Sequence, residues 1–320
     1  MRMLLKHIRF HMIFLLLLTV AIAPGCIGKQ TLATSHNTQN GKGSVNLVFS
    51  ASDKETSTLS LADVDITASD MAPIHQQFDI SGFAAGEPIT FSLEVPAGKN
   101  RLFSVSLWTS DEVMAYKGKT TADVKTDQDT AVSISVDPYG RIDGKIYTVG
   151  TSMYPGDPLA NYSETKFEPP ITTDDQGLFS VVLPVRTTAY KIEVSPSEGM
   201  DAFVPVVLES PAQVEYRELY VVPTDGSLPM TCAVAPISGT EGDEVFLYGY
   251  GYSMPSASTN VYFQPGSGGE AYGLQNVVLS PDSTYIRATL PAITPGVGYL
   301  YVEYYVQEPK AGNLVKFTVY

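Results

Sequence analysis

Reactive side chains are scarce in this chain, and their positions limit the chemistry it can perform. The thiols are Cys26 and Cys232, and the imidazoles are His7, His11, His36 and His75. His7 and His11 stand in an N-terminal stretch that is basic and then apolar, and His36 in a polar stretch without periodicity. That leaves His75 alone for a folded region. A multi-histidine zinc site therefore cannot assemble, a Ser-His-Asp constellation is not expected, and Cys232 has no second thiol for a structural zinc cluster. Acidic pairs occur at Asp174-Asp175 and Asp243-Glu244. Both sit among turn residues, where solvated acids are the rule, and no loop has the ligand spacing of a calcium-binding hand. Two carboxylates alone suffice for a glycosidase, but no cleft-forming fold is visible to hold them. The expectation is a non-enzymatic protein with no catalytic residue, metal or cofactor.

One stretch mixes glycines, acids and aromatics: "PISGTEGDEVFLYGYGYSM", Pro236 to Met254. A phosphate-cradling loop would run from a strand into a helix, so that helix amides face the anion. Here Gly239 and Gly242 precede strand-like alternation, and Glu241, Asp243 and Glu244 would repel phosphate. The stretch reads instead as a turn entering a strand, with Gly249 and Gly251 marking a bulge or a close backbone approach. If Val245 and Leu247 face the core, then Phe246, Tyr248 and Tyr250 face outwards. Tyr262, Tyr299 and Tyr301 fall at outward positions in the same way. Eleven of the nineteen tyrosines lie in residues 227–320. Outward rings on a sheet can stack on sugars, form a protein interface, or simply pair across strands that favour tyrosine. The sequence leaves these three readings open.

The elements that position these residues are strands. No long stretch after residue 30 carries helix formers at helical spacing, whereas short runs alternating every second residue recur throughout. At 320 residues the chain exceeds one small core. Its net charge is −14. Such acidity argues against nucleic acid and against broad contact with anionic lipid.

Residues 1–25 read as an export signal: Arg2, Lys6 and Arg9, then an apolar run from Met12 to Ala23, too short to span a bilayer as a helix. Its removal would leave −14 − 3 = −17. Two cleavage sites compete, one after "AIA" (Ala21 to Ala23), where Pro24 follows, and one before Cys26. "APGC" resembles the lipobox of bacterial lipoproteins, with Ala23 where that motif usually has leucine. The resemblance implies a lipidated Cys26 and a membrane partner reached through the lipid. Ile27 in place of aspartate after the cysteine implies the outer membrane where the host has one. With Cys26 acylated, Cys232 stands alone and is expected to fill a core as a small hydrophobe. Residues 26–43 read as the lipidated cysteine and a flexible tether of about 23 Å root-mean-square span.

Three all-β modules follow, expected to behave as separate sandwiches. In residues 44–138, "SVNLVFS", "RLFSVSLW" and "AVSISV" alternate as half-buried strands. "VPAGKNR" and "TDQD" read as hairpin turns, and Trp108 falls opposite the core face. This part loosely resembles immunoglobulin-like or prealbumin-like repeats of bacterial lipoproteins. Residues 139–226 carry Gly140, Gly144, Gly156, Thr173, Asp174, Gly177, Phe179, Leu183, Pro184 and Tyr190 in an order that resembles the carboxypeptidase regulatory-like domain. That family is a transthyretin-like sandwich without catalytic residues of its own. Residues 227–320 resemble the IPT/TIG immunoglobulin-like fold through Pro236, Gly239, Gly242, Val245, Leu247, Gly249, Gly251, Phe263, Ile286, Pro291, Gly296 and Phe317. Tyr252 stands where that family usually has phenylalanine. The resemblance implies that the two aromatic rows lie in different sheets, one packed on the neighbouring module and Tyr262, Tyr299 and Tyr301 free.

The resemblances imply a non-enzymatic, lipid-anchored protein of the bacterial cell envelope. It is expected to serve as a binding or spacer module for a protein partner through its last module. A surface glycan-binding protein using Tyr262, Tyr299 and Tyr301, or Phe246, Tyr248 and Tyr250, is the alternative. An accessory subunit of an envelope enzyme complex is another.

Overall fold

A computed structural model describes residues 41–51, 59–82, 88–150, 153–197, 199–223, 228–252, 258–305 and 309–320. The export signal, Cys26 and most of the tether lie outside the described residues, as does the centre of the expected linker Pro223 to Pro229. The chain is all-β, and its sheets do not close into a barrel.

Seven strands build the first core: β1 Lys42–Ala51, β2 Leu59–Thr67, β3 Ile74–Asp79, β4 Ile89–Pro96, β5 Gly98–Thr109, β6 Met114–Val124 and β7 Asp129–Val149. The first of them begins inside the stretch read as tether. Alternation dictates the layers. Val45, Leu47 and Phe49, Phe103, Val105 and Leu107, and Val132, Ile134 and Val136 all point into one apolar cluster. β1 lies between β4, antiparallel, and the first part of β7, parallel. β5 lies between β2 and β6. "VPAGKNR" is therefore not a hairpin turn, because β4 and β5 belong to different pairings. The chain crosses there from one layer to the other. The crossing is held by Arg101, fully buried, whose guanidinium donates to the carbonyls of Pro96 (3.0 Å) and Ala97 (2.6 Å) and to the Asp70 carboxylate. "TDQD" does turn the chain, but β6 and β7 pair only at 116–118 with 136–138. Trp108 sits half-buried on the far face of β5.

The second core needs no break in the chain. β7 runs without interruption through residue 138, and its second part pairs with β8 (Pro155–Pro158), β11 (Leu178–Pro184) and β14 (Val214–Val221). Between these lie β9 (Ser163–Glu164), β10 (Ile171–Thr172), β12 (Arg186–Val194) and β13 (Ala202–Leu208). β12 and β13 form their own two-stranded sheet, and Ile192, Val194, Val204 and Val206 face Ile142, Ile146, Phe179 and Val181 across the core. Gly144 is obligatory here. A Cβ on it would stand 2.5 Å from the Phe179 ring and 2.3 Å from the Arg217 carbonyl.

The third core is a sandwich of two sheets. β15 (Met230–Ala235), β17 (Glu244–Tyr250), β20 (Gln275–Leu279) and β21 (Tyr285–Thr289) continue the sheet that begins with β14. β16 (Ser238–Gly239), β18 (Ser258–Pro265), β19 (Tyr272–Gly273), β22 (Gly296–Tyr305), β23 (Pro309–Ala311) and β24 (Val315–Val319) form the opposing six-stranded sheet. Val245, Leu247 and Ile286 from the first meet Val261, Phe263, Leu300, Val302 and Phe317 from the second. The pairing of β15 with β17 shifts register between Thr231 and Ala233, opposite Gly249. A Cβ on Gly249 would fall 1.9 Å from the Met230 carbonyl oxygen, so the glycine reports close approach, with the irregularity on the partner strand. Tyr252 is fully buried and donates its hydroxyl to Thr231 Oγ1 at 2.9 Å, which gives the phenol a use that phenylalanine would lack.

β15 is buried along its whole length. Met230 and Val234 belong to the third core, whereas Cys232, Ala233 and Ala235 belong to the second. The Cys232 thiol is in contact with the Phe203 backbone of β13, at 3.4 Å to its nitrogen and 3.5 Å to its oxygen. Burial pushes that thiol up to about 12, so it packs as a small hydrophobe.

Candidate binding face

The outward aromatics divide between the two sheets of the third core. Phe246, Tyr248 and Tyr250 lie on β17, in the extended sheet, while Tyr262 lies on β18 and Tyr299 and Tyr301 on β22, in the six-stranded one.

The β17 row is partly covered. Phe203 of β13 meets Tyr248 and Tyr250 edge-on, with centroids 6.3 and 5.6 Å apart. Phe246 and Tyr285 complete the group, 5.8 Å from each other. Burial raises the phenols of Tyr248, to about 12, and of Tyr250. These rings join the second core to the third, and Phe246, Tyr248 and Tyr250 remain half-buried.

The β18–β22 row is likewise half-buried, and it borders a groove. Register places Tyr262 opposite Tyr301, Gln264 opposite Tyr299 and Asn260 opposite Glu303, all on the outer face. Directly opposed residues on an antiparallel pair are about 5 Å apart, close enough for rings to touch. Tyr262 and Tyr301 stack with centroids 5.4 Å apart and 23° between planes. Burial against this neighbour raises the Tyr301 phenol, with Glu303 adding to the effect, so it remains a hydrogen-bond donor through neutral pH. Tyr299 meets a ring from outside the sandwich. Tyr154, just before β8, stands edge-on to it at 5.4 Å and 86°. The preceding residue is tied to the third core, because Met153 accepts a hydrogen bond from the Leu314 amide at 2.7 Å. Tyr154, Gln264, Tyr299, Tyr301 and Glu303 line an open groove of about 500 Å³, and Tyr262 is not among its lining residues.

Tyr154, Gln264 and Glu303 were not singled out from sequence. Gln264 and Glu303 carry a readable signal, since each lies two residues from an outward tyrosine on its own strand. Tyr154 carries none, because only the fold brings a loop of the second core to the sheet of the third. Elsewhere, the Asp174 carboxylate accepts the amides of Gln176 and Leu178, which accounts for that acid as turn chemistry. Among the described residues no three His, Cys, Asp or Glu side chains are placed to hold a metal, and no helix is long and apolar enough to cross a membrane.

No family model matches the chain, and no curated protein sequence does. Solved structures overlap it at low scores. They include the Bacillus anthracis TIE protein (13% identity, 87% of this chain, 49% of that one, TM-score 0.23). A streptococcal ancillary pilin matches similarly (13% identity, 87% and 98%, TM-score 0.22). So does the tip fimbrial protein Mfa3 from Porphyromonas gingivalis (8% identity, 57% and 96%, TM-score 0.25). The chain spans about half the length of the Bacillus anthracis protein. At these scores the overlap assigns neither family nor activity. The carboxypeptidase regulatory-like and IPT/TIG likenesses stay resemblances of residue pattern.

Proposed function

We propose that this chain is a non-enzymatic lipoprotein of the bacterial cell envelope, anchored through Cys26, whose β cores form a coupled arm presenting the outer face of β18 and β22. The observation that carries this reading is the sharing of strands. β7 threads the first and second cores, and β15 lends opposite faces to the second and third. Coupling of this kind suits an arm that must hold a binding face at a distance, since a hinge at either junction would have to break a ladder or expose a buried strand. Supporting the anchor are the basic and apolar order of residues 1–23, the Gly25-Cys26 pair and the polar stretch that follows. The division into modules at 44–138, 139–226 and 227–320 is part of the same proposal.

Radiolabelled palmitate and membrane fractionation test the anchor. Wild-type chain is expected to take up label and sediment with the envelope, and Cys26→Ser is expected to lose both. A Cys26→Ser chain that still carries label and partitions into detergent would overturn the anchor.

A further inference from the structure

We propose that the groove between Tyr154 and the β18–β22 face is a subsite for a neutral pyranose ring of an extended glycan. This deepens the binding reading above and rests on it. Three properties of the groove select that ligand. The first is ring geometry. Tyr299 and Tyr301 lie two residues apart on one strand face, so successive rings are offered along β22, and Tyr154 stands almost perpendicular as a side wall. An aromatic face takes the C–H face of a sugar ring, and a perpendicular wall limits how that ring rotates.

The second is the placing of polar groups at the rim. Gln264 lies directly across from Tyr299, and Glu303 lies two residues beyond Tyr301. An amide both donates and accepts, and a carboxylate accepts twice, which matches the hydroxyls that project from the edge of a pyranose. The Gln264 amide is held towards the groove's Gly-rich turn, donating to the Gly269 carbonyl at 3.1 Å. Glu303 takes part in no ion pair among the described residues.

The third is charge. A chain at −14, with a carboxylate at the groove's rim, disfavours phosphate, sulfate and uronate relative to neutral sugars. The volume, about 500 Å³, lies within the range of small-molecule sites. A protein partner would bury roughly 800 Å² on each side and favours an interface core depleted of charge. Glu303 beside the rings fits that poorly.

The test is calorimetric titration of the full chain in detergent with hexamers of β-1,4-glucose, β-1,3-glucose, α-1,4-glucose and α-1,6-mannose, and with hexagalacturonate as the anionic probe. At least one neutral hexamer is expected to bind at low millimolar concentration or better. Tyr299→Ser and Tyr154→Ser are each expected to weaken it about tenfold, with the melting temperature held. Val278→Ser, on the other sheet, is expected to leave binding unchanged. Should Tyr299→Ser lower the melting temperature, Gln264→Ala supplies the same reading without removing a ring. Silence from all four neutral hexamers, binding confined to hexagalacturonate, or binding that survives both tyrosine substitutions would overturn the proposal. None of these results bears on the coupling of the cores, which unfolding measures separately.

Discussion

At the scale of single residues, the interior polar groups decide more than the exposed acids do. Asn313 is fully buried and grips the backbone of Thr231 at both ends, accepting from its amide at 2.7 Å and donating to its carbonyl at 2.8 Å. Asn313→Ala would leave both groups unpaired in the core and is expected to cost about 2–4 kcal/mol in denaturant unfolding. A loss within the error of the measurement would show that water replaces the amide. His75 supplies the pH-dependent case. Its Nδ1 lies 2.8 Å from the Asp65 carboxylate, which raises the imidazole above 6.5, with Asp63 adding to it. A raised imidazole contributes its stability below the unfolded value and loses it as pH rises through the folded one. The β2–β3 edge is thus expected to be firmer in mild acid, and Asp65→Asn is expected to lower the His75 titration midpoint read by NMR. An unchanged midpoint would contradict the pairing. Neither residue stood out in the sequence. Asn313 is one of two polar residues in "GNLVK", and a lone His75 signals only the histidine chemistry it cannot support.

At the scale of elements, period-two alternation located most strands and named their core faces. Val45, Leu47, Phe103, Val245 and Leu247 are all buried as that period requires. Connectivity was less legible. "VPAGKNR" has the composition of a hairpin turn, yet β4 pairs with β1, because which strands become neighbours depends on long-range burial that turn residues do not record. Glycines were informative where backbones converge. Gly144→Ala would drive a methyl into Phe179 and Arg217 and is expected to destabilise the chain by about 1–3 kcal/mol or more. Leu247→Ala, which empties a fully buried site, is expected to cost about 2–5 kcal/mol. Equal stability of the Gly144→Ala chain by thermal melting would place the glycine's value elsewhere than in packing.

For the whole molecule, the sequence suggested separate sandwiches in series, and the structure joins their cores through shared strands. Nothing local announces this. β7 reads as two ordinary strands with Pro138-Tyr139-Gly140 between them, and β15 reads as a short apolar run whose two-sided burial depends on both neighbours. The candidate face followed the same pattern: its tyrosines showed in the alternation, while Tyr154 reached it only through tertiary structure. Coupling of the cores is the central claim, and the chain carries its own reporters. Its one tryptophan, Trp108, lies on the outer face of β5, a strand of the first core, and eleven of its nineteen tyrosines lie in residues 227–320. Denaturant unfolding followed by Trp108 emission and by tyrosine near-ultraviolet circular dichroism therefore reads the two ends of the molecule in one sample. The shared strands predict coincident midpoints and a single cooperative transition. Two separated transitions, with the tryptophan and tyrosine signals falling at different denaturant concentrations, would contradict it.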